Sequence, residues 1–457
     1  MKQDAILFID IDDGPSIRYQ YRDPHFAAAR ALGLTCLTAG VSGRDHLQRL
    51  EYQGGEYFLL ADLSEAAIVN LVGSLGDRYT VRAIFCYAGH ASARGDVGCI
   101  VARASQTLGL VYSNPDAIAA CNNKFLMRQV LQNKQLRSVP FALCNNEQML
   151  AAGAARVGYP LIAKPAFGGA SAFIKKCADW AELRAHYQQY LAQHDTSGCA
   201  DFYGYAHMLH DEEGAALEYI PGRSILLEGY IEGVEGTVEC VIVGDRVHPV
   251  LINEKLLLTA RSGTILENLL ITPPTSFSEQ QCAHIRQYAK DCLQAIGMTN
   301  AIVHLEFRLT EAGPVVIEIN SRLGGLYVNA ALRDLAGVDP YQLYVSLLLG
   351  DSRVAEGLQA RAQRAADSTQ HYAMLALYPE HSGYFRGVQG EDYLKGNESI
   401  VEYAQQAPGS YLDAEVEEHY LLKCWAHVED AAAASVLHDA LVRQVRPVIE
   451  QSVGRIA

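Results

Sequence analysis

The chain of 457 residues carries 37 Lys and Arg against 52 Asp and Glu, a formal charge of -15, and is 49% hydrophobic. That length exceeds one ordinary core, so two to four domains are expected, and the acid excess argues against nucleic-acid backbones or anionic membranes as principal partners. Eleven cysteines with no C-x-x-C pair read as buried, reduced thiols of a cytoplasmic protein; the apolar run at 5–9 ends too soon for a signal peptide, and no stretch reaches membrane-spanning length.

Short apolar strands at 6–11, 34–38, 57–60 and 83–87 alternate with helical stretches at 24–32, 65–75 and 97–108, which predicts βαβ units on a parallel sheet. No G-x-G-x-x-G follows the first strand, so a dinucleotide fingerprint is excluded and any nucleotide must bind elsewhere. The loop after the fourth strand, where such sheets present ligands, carries the candidate substrate groups His90 and Arg94. A helical stretch is predicted over 117–130. Within it Lys124 stands at a helix entry with Arg128 one turn on, able to reach a phosphate or simply to be solvated.

Next, a strand delivers Lys164 into the small-residue loop Phe167-Gly168-Gly169-Ala-Ser171-Ala-Phe173. That is the design of a flexible lid over triphosphate oxygens and equally of an ordinary glycine-rich hairpin. In the run from Glu228 through Gly229, Tyr230 and Ile231 to Glu235, open backbone can meet an adenine edge and Glu235 ribose hydroxyls; taken alone it is an acidic strand-turn-strand. Gly244-Asp245 marks a hairpin turn, and past it Glu254, Lys255 and Arg261 are candidates for substrate amino and carboxylate groups, or loop salt pairs.

Two β-rich runs then flank Thr310-Glu-Ala-Gly-Pro314. Pairing about Ala312 sets Glu306 opposite Glu318, so both carboxylates leave one face of the sheet. His304 and Arg308 accompany Glu306 there and Asn320 accompanies Glu318, while Leu305, Phe307, Ile317 and Ile319 point to the apolar side. Facing carboxylates with an amide suit a hard cation, and Arg322 beyond them offers a planar fork for a phosphoryl group; an exposed hairpin with solvated charges has the same pattern. Residues 355–367 are expected to connect to a last α+β unit.

In this order and spacing, residues 116–350 resemble the ATP-grasp superfamily of carboxylate-amine ligases. The family pattern is matched at Lys124, at Lys164 with Gly168, Gly169 and Ser171, at Glu228 with Glu235, and at Glu306, Glu318, Asn320 and Arg322. The resemblance implies an α/β and α+β multidomain fold: a Rossmann-like domain over 1–115, an ATP-grasp domain over 116–350 with a lid at 140–230, and a C-terminal α+β domain over 351–457. It implies ATP phosphates on Lys124, Lys164 and the loop, adenine at Glu228 to Ile231, and ribose on Glu235. Two Mg²⁺ ions, replaceable by Mn²⁺, would sit at Glu306, Glu318 and Asn320, with Lys164 and Arg322 serving the acyl phosphate. The loop departs from the frequent G-S-x-G, which leaves its contacts the least secure part.

Within the superfamily, His304 to Arg308 and Glu318 to Gly325, followed by a last α+β unit, are similar to the L-amino-acid ligases. That implies an amide bond made through an acyl phosphate, small-molecule substrates held among Glu254, Lys255, Arg261, His304, Arg322, Gly324 and Gly325, and a homodimer. Two other expectations compete: a biotin-carboxylase-like carboxylase and a non-catalytic ATP-binding regulatory protein. The chain lacks the Met-Lys-Met carrier segment that accompanies biotin, and carboxylates that repel without a metal serve a pure binder poorly.

Overall fold

The computed structural model describes residues 2–10, 19–41, 56–86, 91–92, 95–167, 173–194, 207–210, 214–261, 264–414, 416–417 and 419–450. His90, Arg94, Gly168, Gly169 and Ser171 lie outside the described residues.

Strands β1 (Gln3–Ile9), β2 (Thr35–Gly40), β3 (Tyr57–Leu59) and β4 (Tyr79–Phe85) make a parallel sheet in the order β3-β2-β1-β4. Alternation along β1 sends Ile6 and Phe8 against the helix Tyr19–Ala31, and Ala5, Leu7 and Ile9 against the helices Glu65–Leu75 and Val97–Thr107. β4 starts before the predicted 83–87 because its first half alternates half-buried and exposed side chains and has no apolar run to announce it. A small hairpin, β5 (Ala91–Ser92) and β6 (Gly95–Asp96), follows.

The single helix expected over 117–130 is two, Pro115–Asn122 and Lys124–Asn133. Asn123 adopts an extended backbone between them, and its Oδ1 accepts from the N–H groups of Phe125 and Leu126. A side chain that caps competes with helix continuation, so Lys124 becomes the first residue of a new helix.

Strands β7 (Phe141–Cys144), β8 (Leu161–Lys164), β9 (Lys175–Cys177), β10 (His207–His210), β11 (Ala216–Tyr219) and β12 (Ile225–Gly229) belong to the lid region. They form an antiparallel sheet, β7-β12-β8-β9, and a separate β10-β11 pair. The helices Glu147–Val157 and Trp180–Gln193 pack on the sheet through Leu150, Leu183, Tyr187 and Tyr190.

The remaining strands are β13 (Val234–Val243), β14 (Arg246–Ala260), β15 (Ile265–Thr272), β16 (Ala301–Thr310), β17 (Gly313–Asn320), β18 (His371–Leu377), β19 (Gly383–Gln389), β20 (Ile400–Gln405), β21 (Tyr411–Leu412), β22 (Leu422–Val428) and β23 (Arg446–Glu450). Eight of them form one antiparallel sheet, β17-β16-β13-β14-β15-β18-β22-β20. The residues expected to form a separate last unit therefore lengthen the central sheet: β18 hydrogen-bonds to β15, and β22 and β20 follow it. Within the expected 355–367 connection lies the helix Leu358–Ala366. The helix Glu279–Ile296, started by a Ser278–Gln281 capping box, covers one sheet face through Val238, Cys240, Leu305 and Phe307. Alternation leaves Glu235, Thr237, Glu239, His304, Glu306, Arg308, Glu318 and Asn320 on the other face.

Candidate active site

In the β16–β17 hairpin Glu306 pairs directly with Glu318, and His304 with Asn320, as the sequence predicts. The route differs. Thr310 pairs with Gly313 across a two-residue turn, and Ile317 is bulged out between Glu318 and Val316, which restores the carboxylate register. Val316, not Ile317, therefore opposes Phe307 in the apolar layer, and Ile317 is only half-buried.

Each carboxylate of the pair meets a different lysine. Lys255 Nζ lies 2.8 Å from Glu306 Oε2, and Lys124 Nζ 3.2 Å from Glu318 Oε1. Burial alone would raise the Glu306 carboxyl, but Lys255 and His304 outweigh it and hold its pKa at about 2. Both side chains keep about a fifth of their surface open, 21% for Glu306 and 20% for Glu318, and the Asn320 amide lies 3.5 Å from Glu306 Oε1. Two carboxylates beside an amide, open on one side, fit a hard cation such as Mg²⁺.

The carboxylate oxygens of Glu235, Glu267 and Glu306 gather within 4.8 Å of one another, but the Lys255 ammonium sits among them. Its Nζ is 2.8 Å from both Glu235 and Glu306 and also ion-pairs with Glu267. Burial would lower the Lys255 pKa; the three carboxylates reverse that and hold it well above the usual lysine range. Lys255 was expected to meet substrate. In this structure it sits instead among three carboxylates as their counter-ion.

Glu235 is engaged on its other side by Arg308, whose Nε is 2.9 Å from Oε2 and whose Nη1 donates to the Ile231 carbonyl at 2.8 Å. Arg308 and Lys176 lie over the Tyr230 ring at 5.1 and 3.6 Å, while the Gly229 and Tyr230 N–H groups donate to the carbonyls of Pro140 and Pro160. The stretch Glu228 to Ile231 is thus a ledge between the β7-β12-β8-β9 sheet and the central sheet, with the Gly229 and Tyr230 N–H groups already bonded.

At the other end of that ledge the Glu228 carboxylate is buried between two cations. Arg128 grips it with two bonds, Nε to Oε1 at 2.8 Å and Nη2 to Oε2 at 3.0 Å, and Lys164 Nζ reaches Oε2 at 2.8 Å. Arg128 also donates to the carbonyls of Val316 and bulged Ile317, so one guanidinium joins β12, the Lys124 helix and the β16–β17 hairpin. Burial would raise the Glu228 pKa, yet Arg128 and Lys164 bring it to about 2. Burial lowers that of Lys164, with Glu228 opposing.

His304 stands between two acids, Nδ1 2.6 Å from Glu239 Oε1 and Nε2 3.7 Å from Glu306 Oε1; burial opposes its charged form, but Glu239 prevails and its pKa is raised. This is the supporting position of a group that orients a ligand carboxylate. A Cβ on Gly324 would come within 2.5 Å of His304 Nδ1, so only glycine lets the chain after Arg322 pass so close. Arg322 Nη1 donates to the Leu323 carbonyl at 3.0 Å, and the Gly325 carbonyl accepts from Val328 at the start of a short helix.

Two further candidates are corrected. Glu254 lies on the face opposite Lys255 and accepts from the Thr275 N–H and hydroxyl and the Ser276 N–H, fixing a loop. Arg261 donates to the carbonyls of Pro379 and Ala414, tying the end of β14 to the C-terminal region. Sequence reasoning passed over Glu239 and Glu267, and Arg128 entered it only as a neighbour of Lys124. Alternation places Glu239 on the active face; for Glu267 the sequence offers no signal, because the β14–β15 register shifts beside it.

Residues 157–330 match the ATP-grasp domain family. Carnosine synthase 1 of Mus musculus is 27% identical over 303 residues, 64% of this chain and 32% of that protein. Dapdiamide A synthase of Enterobacter agglomerans is 25% identical over 294 residues, 62% of this chain and 57% of that protein. The chain thus spans between about a third and three-fifths of the length of these relatives. Among solved structures, an L-amino acid ligase from Bacillus licheniformis superposes with a TM-score of 0.73 at 19% identity, covering 98% of this chain and 99% of that one. The fold is therefore the ATP-grasp fold, with the ATP-grasp family match lying over residues 157–330.

Proposed function

We propose that the protein is an ADP-forming carboxylate-amine ligase that joins an amino acid or related carboxylic acid to the amine of an amino acid. The observation that carries this is a hairpin that pairs Glu306 with Glu318, with Lys124, from a helix entry, resting on Glu318, and Lys164, from β8, resting on Glu228. One cation meant for phosphate, Lys124, rests on a carboxylate meant for metal, Glu318, an arrangement primed to exchange partners when nucleotide arrives.

In the reaction, a substrate carboxylate oxygen attacks the γ-phosphorus of ATP, ADP leaves, and an acyl phosphate forms. The amine nitrogen then attacks the acyl carbon, inorganic phosphate leaves, and the nitrogen sheds its proton. A divalent cation on Glu306, Glu318 and Asn320 would neutralise charge on the transferring phosphoryl group. Lys124 and Lys164 supply the remaining positive charge, the ledge from Glu228 to Ile231 supports the adenine, and Glu235 meets the ribose. Arg322, a planar fork beside Glu306, holds the acyl phosphate. His304 keeps Glu306 in place. Two-ion occupancy, replacement by Mn²⁺ and a homodimer belong to the same proposal, to be read by metal titration and sedimentation. So does a cytoplasmic location, which the ten free cysteines among the described residues favour.

The deciding experiment is ADP release from ATP and Mg²⁺ against a panel of amino acids. Release that needs a pair of amino acids, with phosphate and dipeptide formed, supports the ligase. Dependence on bicarbonate would replace it by a carboxylase, and no release under any condition by a nucleotide-binding protein without turnover.

A further inference from the structure

On the active face of the central sheet, far from the metal hairpin in strand order, sits a second buried cation. Lys423 on β22 shares its face with Trp425, Met374 and Ile302, and Ile302 lies on the strand that carries His304 and Glu306. It is flanked across the sheet by Ala376 and Ala404, the smallest side chains available, and is 8% exposed. The rings of Tyr327 and Tyr420 lie 5.0 and 5.6 Å from its Nζ.

The chain after Arg322 connects the two places. It runs from Arg322 past Gly324, pressed on His304, to Leu326, whose carbonyl is 3.5 Å from Lys423 Nζ. Four residues span at most about 14 Å, which bounds the separation along this strap between Arg322 and the Leu326 carbonyl beside Lys423. Leu326 holds φ +49, in the left-handed region that a branched side chain disfavours. Such an outlier persists where the surroundings over-determine it, and here it turns the carbonyl toward the lysine.

Nearby, Tyr378 packs with Leu326 and Tyr420 and donates to the Glu267 carbonyl at 3.2 Å. The next residue, Asn268, sits where the β14–β15 register shifts, and its buried Oδ1 has no hydrogen-bond partner. A register shift of this kind re-aims a side chain beside a site. An ammonium among aromatic rings offers a charge for the carboxylate end of an amino acid.

We propose that Lys423 is the anchor for the carboxylate of the amine substrate, making the acceptor an amino acid rather than a simple amine. The proposal rests on the ligase reading and names which end of which substrate the C-terminal strands recognise. Burial brings the Lys423 pKa down to about 8, with Glu402 opposing, so the group stays mostly charged at neutral pH.

The test starts with native protein. The twenty L-amino acids and β-alanine are screened in pairs for ADP release, and the best acceptor is compared with its C-terminal amide, which keeps the amine and loses the charge. The amide should fall on the order of 100-fold in kcat/KM. Lys423→Met, of similar length and apolar, should raise KM for the acceptor by a similar factor and bring acid and amide within a few-fold. KM for ATP and for the carboxylate donor should stay unchanged. Lys423→Arg should keep the preference and shows that charge is what counts, even if the Met variant does not fold. Equal use of acid and amide by the native enzyme, an intact preference in Lys423→Met, or a KM change confined to the donor would each overturn the anchor while leaving the ligase standing. No ADP release from any pair would overturn the ligase reading itself and the anchor with it.

Discussion

Glu228→Gln tests whether the buried Arg128–Glu228–Lys164 group is what joins the lid sheet to the central site. The three side chains are 0%, 4% and 4% exposed, so solvent screens them little. The Glu228 pKa falls from 4.5 to about 2, and a difference of about 2.5 units corresponds to about 3 kcal/mol of preferential stabilisation of the ionised native state. Gln leaves two cations buried without their counter-charge, a change that typically costs about 3–5 kcal/mol. Hydrogen exchange of peptides spanning Ile225–Gly229 should therefore accelerate about 100-fold or more at pH 7, each 1.4 kcal/mol being about tenfold. The sign with pH follows from a depressed carboxyl: in the native protein the contribution is fully present above about 4.5 and is lost as pH falls toward 2. Placed on an Arg128→Met background, the same substitution should cost less, because one of the stranded charges is already gone. Unchanged exchange in Glu228→Gln, or strictly additive effects in the double variant, would refute the idea that these three side chains act as a unit.

Glu318→Gln should keep the fold and remove nearly all ADP release, since an amide cannot replace an ionised metal ligand; near-normal turnover at saturating Mg²⁺ would contradict the cation site. Arg322→Lys keeps the charge and loses the fork, so kcat should drop by more than ATP affinity, and an equal loss in both would move Arg322 to ground-state binding. His186, 1% exposed and bonded through Nε2 to the Phe173 carbonyl at 3.0 Å, has its pKa lowered to about 4 by burial. Its contribution is intact above about 6.5 and is lost as pH falls toward 4, because only the unfolded chain takes up the proton there. His186→Gln should flatten that part of the stability profile measured by thermal unfolding, and a slope unchanged from native would remove His186 as its source.

What the sequence makes legible here is what alternation and order encode. The facing of Glu306 and Glu318 follows from period-two patterning about a turn, and the first sheet from its apolar runs. The bulge at Ile317 is invisible because an extra residue changes no composition, and the correct pairing was reached by a symmetric turn that the chain does not use. Charged candidates were mis-assigned for a different reason. Glu254 and Lys255 are adjacent and so emerge on opposite faces, one into a loop and one into an acidic cradle, and only tertiary partners decide what each then does. The Arg128–Glu228 pair spans 100 positions, beyond any local signal.

The addition of β18, β22 and β20 to the central sheet has a consequence for how the protein comes into being. During synthesis the ATP-grasp strands emerge first, and until residues 371–428 follow, β15 presents an unpaired rim with apolar Leu269 and Ile271 beside it. An open rim of that sort is a template for wrong partners. The strands that carry the candidate site are thus assembled before they are safe, and they rely on residues 371–428 to close them.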